Sequence, residues 1–277
     1  MADAEGGGCR LPGLPRVRVQ SGTALAARDP ARLKAGAQVT KIVGKGVFPM
    51  SKFMAGLVFG MLASMASLAA DLTPTETRWL KGAWPVITFA REARLPLDIV
   101  VQPQATPGAA PLALAYVDGR CKLVLSMRGN PEAETALDGI APELRDAALE
   151  LMAAHELGHC RRYLDGAWHG LPAGFSTEVP DALSPELRIA YADMQAARRE
   201  EGYGDLVGLA WARQRHPQHY ERLYRWLVEE RSRDRVRGSP HDTLAWVQLA
   251  REGAVLQDGS IFTAAALLWT RGLVADD

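Results

Sequence analysis

The segment LMAAHELGHCRRYLDG, Leu151 to Gly166, sets His155 and His159 four residues apart, with Glu156 directly after the first histidine. Residues four apart are neighbours on a helix surface, so both imidazoles can reach one ion. Glu156 is rotated by one position and can address a water beside that ion without binding the ion itself. The plain alternative is a pair of satisfied core histidines, because so short a pattern also arises by chance. A catalytic zinc needs more: a third protein ligand and an open fourth position.

Three downstream residues are candidates for the third ligand. Glu201 lies in ARREEGYGDLVGLAWA, on an inward stripe with Ala190, Met194, Ala197 and Gly208. A carboxylate on an apolar stripe is costly unless it is paired or coordinates a metal. Arg199 and Glu200 fall on the polar side of the same helix. Asp205, one turn after Glu201, shares the inward face and could accept a hydrogen bond from a liganding imidazole. Gly202 and Gly204 each cost a helix interior about 1 kcal/mol relative to Ala, which a close approach to the histidine helix would explain. Asp165 follows His159 by six residues, the offset of short metzincin-like sites, but Arg162 stands where such a site has its turn-permitting Gly. His169, in GAWHGLP, reaches the site only if its loop doubles back.

HELGH followed on a later helix by EGYGD, an E-x-x-x-D pattern, resembles the gluzincins, the thermolysin-like branch of zinc metallopeptidases. The resemblance covers Leu112 to Asp205. It implies Zn2+ on His155, His159 and Glu201, Glu156 as general base, and Asp205 behind a liganding histidine. Gly204 departs from the family's usual Ala. The resemblance also implies a peptide or protein substrate lying extended along an edge strand, and a downstream His or Tyr that donates to the developing oxyanion. His241, in RGSPHDTLAWVQLA, is the candidate donor. Ser239 is expected to cap a helix with Pro240 and His241 in its first turn and Asp242 as a capping partner. His216 and His219 sit among charges and read as surface residues. Two competing readings remain: a zinc amidase acting on cell-wall peptides, and a non-catalytic helical interaction module with structural zinc or none.

The elements that must position these residues are legible in part. Thr73, Pro74 and Glu76 mark a helix start. Trp79, Leu80, Ala83, Ile87 and Ala90 form its inward stripe, and Pro85 is expected to kink or break it. LDIVVQ and then LALAYVDGRCKLVLS are β-favouring runs, the latter two joined by Asp118-Gly119, a strong hairpin signal. The histidine helix should start near Pro142, with Glu143 and Asp146 in its first turn, Arg161 and Arg162 in its last, and Gly166 beyond. Ser184-Pro185-Glu186 opens a second long helix. The expected fold is α+β, a small antiparallel sheet or hairpin followed by a mainly helical zincin-like domain.

Bulk properties narrow the setting. Before Ala70 the chain has nine Lys or Arg and three Asp or Glu; from Ala70 onward it has 23 against 29. An acidic body of this kind argues against nucleic acid as a partner. ERSRDRVRG, the one Arg-rich run, reads as a solvated helix end. FMAGLVFGMLASMASLAA, Phe53 to Ala70, follows Lys52 and ends in small residues, as an export signal over residues 50–70 would, with cleavage after Ala69 or Ala70. A single-pass anchor is the alternative, and the expected location is periplasmic or secreted. Residues 1–49 read as a disordered or mis-annotated extension, and 71–277 as one domain with its own core. Cys121 and Cys160 could pair, stay as buried thiols, or in the case of Cys160 join a metal.

Overall fold

The computed structural model describes residues 71–104, 106–166, 171–175, 183–233 and 235–275, together with the two-residue strand β1, Arg18–Val19. The rest of the expected extension, the expected signal at 50–70 and His169 lie outside the described residues. The fold is α+β, a small sheet followed by a mainly helical region.

Helix α1, Pro74–Glu92, opens on a complete capping box between Thr73 and Glu76. Its stripe Trp79, Leu80, Ala83, Ile87 and Ala90 is buried as expected. Pro85 does not break it. The ring removes one hydrogen bond, to the carbonyl of Lys81, and Lys81 is exposed, so water can satisfy that group.

Strands β2, Leu97–Pro103, β3, Leu112–Val117, and β4, Arg120–Arg128, run in the order β1-β2-β4-β3. The β3–β4 hairpin is antiparallel and turns at Asp118 and Gly119, with φ of 53° and 74°. Those paired positive φ values are what a tight two-residue hairpin requires. β2 pairs with β4 in parallel, so the sheet is mixed rather than antiparallel throughout. β3 is an edge strand.

A short helix α2, Glu132–Thr135, and a 3-10 turn, Pro142–Leu144, lead into α3, Arg145–Asp165, which ends on left-handed Gly166 at φ 68°. Helix α4, Pro185–Arg215, is capped by Ser184. From Arg198 to Ala212 nearly every residue of α4 is buried, because α3 packs on one side and α6 and α7 on the other. Helices α5, Tyr220–Ser232, α6, Leu244–Leu249, and α7, Ile261–Leu273, complete the helical layer. One hydrophobic cluster runs from Trp79 to Trp269 through all of these elements. A disulfide joins Cys121 on β4 to Cys160 on α3, with Cα atoms 5.6 Å apart, and resolves the three readings of those cysteines. Among the described residues no helix is long and apolar enough to cross a membrane.

Candidate metal centre

α3 and α4 cross where both carry glycine. A Cβ on Gly158 would lie 3.1 Å from the Gly204 Cα, and one on Gly208 would lie 2.9 Å from the Leu151 carbonyl oxygen. This close crossing brings the inward faces of the two helices together, and with them the expected ligands. His155 Nε2 lies 3.0 Å from His159 Nε2 and 3.2 Å from Glu201 Oε2, and His159 Nε2 lies 3.4 Å from Glu201 Oε1. A tetrahedral ion with bonds of about 2.0–2.1 Å holds its ligand atoms about 3.3 Å apart. The three separations are close to that edge length, with a different Glu201 oxygen facing each histidine. Two imidazoles and one carboxylate are also the donor set of a hydrolytic zinc. These three are the one group among the described residues whose ligand atoms converge in this way.

Asp205 is fully buried and is the hub behind the cluster. Its Oδ1 lies 2.9 Å from His155 Nδ1, which fixes the ring so that Nε2 faces Glu201 and His159. Arg231 grips the same carboxylate at 2.6 and 2.8 Å, and Thr243 donates to it at 2.5 Å. The Arg231 guanidinium and the His155 hydrogen bond outweigh burial and hold the Asp205 carboxyl far below the usual carboxylate range. Burial disfavours a charged His155, yet hydrogen bonds to Asp205 and Glu201 overcome it and lift this imidazole to about 10. Glu201 is held well below its ordinary value: burial opposes the charge, but His159 and His155 outweigh it. A metal here would displace a proton from His155 as it binds.

The cluster lies in a cleft of about 420 Å³. Leu112 to Leu114 of the edge strand form one wall, Trp226, Leu227 and Arg231 of α5 another, and Glu156 lies beside the histidines. Glu156 is half-buried, and desolvation raises its carboxyl above the usual carboxylate range. His241 stands at the cleft with Nδ1 3.5 Å from Glu201 Oε2.

Several sequence expectations need correction. Gly202 faces the Trp246 ring, not the histidine helix; Gly204 alone meets His155. Arg199 and Glu200 are buried, not on a polar face, since α4 is central; Glu200 pairs with Arg162 at 2.8 Å and Arg199 at 3.1 Å. Asp165 pairs with Arg161 and stands apart from the cluster. His216 is half-buried against Glu150 at 2.9 Å. Ser239 caps no helix: α6 begins only at Leu244, and Asp242 instead accepts from the Gly238 N–H at 2.7 Å and from Arg235. Within ERSRDRVRG, Arg231 and Arg235 hold buried carboxylates rather than solvent.

Sequence reasoning missed Arg231 and Thr243. Arg231 carried a signal, since it continues the buried stripe of Leu223 and Leu227 at four-residue spacing, the same anomaly that drew notice to Glu201. Thr243 carried none. No protein-family model, curated protein or solved structure matches this chain.

Proposed function

We propose that this chain is an exported zinc metallopeptidase of the gluzincin type, hydrolysing peptide bonds in peptides or proteins. The observation that carries the reading is the convergence of His155, His159 and Glu201 with zinc-sized spacing beside a half-buried carboxylate in an open cleft. A core histidine pair would need no third acidic partner at that spacing, and a structural site would have no use for Glu156.

Zinc held by His155, His159 and Glu201 would supply Lewis-acid polarisation of the scissile carbonyl and a more acidic water. The Glu156 carboxylate takes the proton of the attacking water and returns it to the leaving amine; its raised pKa suits both halves of that exchange. Asp205 keeps His155 in one tautomer and orientation. His241 donates to the oxyanion from the open side of the cleft. The edge of β3 offers main-chain groups to an extended substrate. Export accords with the Cys121–Cys160 disulfide, because such bonds persist in oxidising compartments.

The test is metal content by mass spectrometry together with turnover of a peptide library. One zinc per chain and peptide cleavage are expected in the wild type. Glu156→Gln should keep the zinc and lose turnover. Cleavage persisting in Glu156→Gln, or no metal retained after zinc is supplied, would end this reading.

A further inference from the structure

His241 has 70% of its side chain exposed, yet the next two residues are among the most buried polar groups of the chain, Asp242 at 1% and Thr243 at 0%. A tight turn produces this contrast. Gly238 takes φ 78°, the Ser239 N–H donates to the Val236 carbonyl, and the Asp242 N–H donates to the Ser239 carbonyl. The turn aims Asp242 inward and leaves His241 facing the cleft. The Asp242 carboxylate then closes the loop on itself, accepting from the Gly238 N–H at 2.7 Å and from Arg235 Nε.

The loop is also fastened to α4. Arg198 Nε donates to the Asp242 carbonyl at 2.7 Å, and the Thr243 hydroxyl donates to Asp205 at 2.5 Å. Arg198 precedes Glu201 by three residues and Asp205 follows it by four, so both lie within about one helical turn of that carboxylate. The two anchors thus straddle the group that the His241 imidazole faces at 3.5 Å. A mere link between α5 and α6 has no need to bury a carboxylate against guanidinium groups, which costs desolvation. A catalytic group carried on a loop does need such support, because a loosely held donor is misplaced when charge develops.

We infer that Asp242 is a positioning residue: it locks the 235–243 loop onto α4 and so holds the His241 imidazole beside Glu201 before substrate arrives. The inference rests on the peptidase reading of the site. Asp242 touches none of the three expected ligands; its carboxylate braces the turn through Gly238 and Arg235 and reaches α4 through Arg198 Nε at 3.7 Å.

The experiment compares wild type, His241→Ala, Asp242→Asn, Arg235→Gln and the double variant Asp242→Asn/His241→Ala. Zinc content, kcat and KM are measured on one reporter peptide. His241→Ala should lower kcat on the order of 10²-fold, the scale of losing one oxyanion donor. Asp242→Asn should lower it at least tenfold with KM and zinc content kept, and the double variant should be no slower than His241→Ala. A second readout needs no turnover. With cobalt(II) in place of zinc, the His241 ring protons carry a paramagnetic NMR shift in the wild type, which shrinks in Asp242→Asn and in Arg235→Gln. Arg235 is partly exposed, so its variant decides the matter if Asp242→Asn fails to fold. Multiplicative losses in the double variant, or an unchanged His241 shift, overturn the inference. A wild type that binds cobalt but cleaves nothing overturns the peptidase reading instead, and the NMR comparison still decides the positioning.

Discussion

Gly204 offers the sharpest test of how the two helices build the centre. In Gly204→Ala the new Cβ would lie 2.8 Å from His155 Cε1, 2.9 Å from Nδ1 and 3.0 Å from Nε2. Carbon contacts are comfortable only from about 3.5 Å, so ring and helix must separate by roughly 0.7 Å. Alanine gains about 1 kcal/mol in helix propensity over glycine, and overpacking costs about 1–3 kcal/mol. The net effect on the metal-free fold is therefore a loss of about 0–2 kcal/mol. The site suffers more. His155 is fixed 2.9 Å from Asp205 and 3.2 Å from Glu201, and the displacement spoils one of these contacts. Zinc affinity should fall about 10–100-fold, the usual scale for disturbing the partner behind a liganding histidine. Competition against a chromophoric chelator measures it. Gly202→Ala is the control: its Cβ would strike the Trp246 ring at 2.7 Å, so it should lower stability without changing zinc affinity. Gly204→Ala binding zinc within twofold of wild type would refute the close-crossing argument.

Adjacent glutamates should behave oppositely. Glu200→Gln deprives two buried guanidinium groups of their shared carboxylate and should cost about 3–5 kcal/mol in urea unfolding, with zinc still bound by the folded fraction. Glu201→Ala should fold and lose zinc. Replacing both Cys121 and Cys160 by Ala opens a covalent loop with a separation of 39 residues, and equilibrium unfolding should show a loss of about 4 kcal/mol. Asp242 gives a pH signature. Burial opposes its charge, but Arg235 and the Gly238 N–H outweigh it, so its folded-state pKa lies below the unfolded value of about 3.9. Its contribution is full above the unfolded value and is lost as pH falls from there through the lower folded-state value; urea midpoints at pH 6 and pH 3 should differ less in Asp242→Asn than in wild type.

The legible parts of the sequence were those whose partners lie close along the chain. The capping box of Thr73 and Glu76, the Asp118-Gly119 turn and the four-residue step from His155 to His159 are local rules, and the structure follows them. Glu201 was legible for a different reason, because a carboxylate on an apolar stripe demands a partner. That same stripe logic failed for Arg199 and Glu200, since it assumes one wet face and α4 has almost none between Arg198 and Ala212. The Ser239 cap failed because the Asp242 carboxylate had better partners, Arg235 and the Gly238 N–H nearby and Arg198 across on α4. The parallel pairing of β2 with β4 could not be read from local alternation, which is the same for either direction.

The shared carboxylate of Asp205 also sets an order of assembly. His155, Arg231 and Thr243 all meet on it, and they span 89 residues of chain. A nascent polypeptide that has produced only α3 and α4 holds every expected metal ligand, yet the Asp205 charge cannot be sealed inside until Arg231 arrives. On the metallopeptidase reading, metal capture is thereby tied to completion of the helices that follow, so a truncated product ending before α5 would carry HELGH and EGYGD without a settled centre. Conversely, a bound ion should shield α5 and the following loop from proteolytic nicking, although neither supplies a ligand.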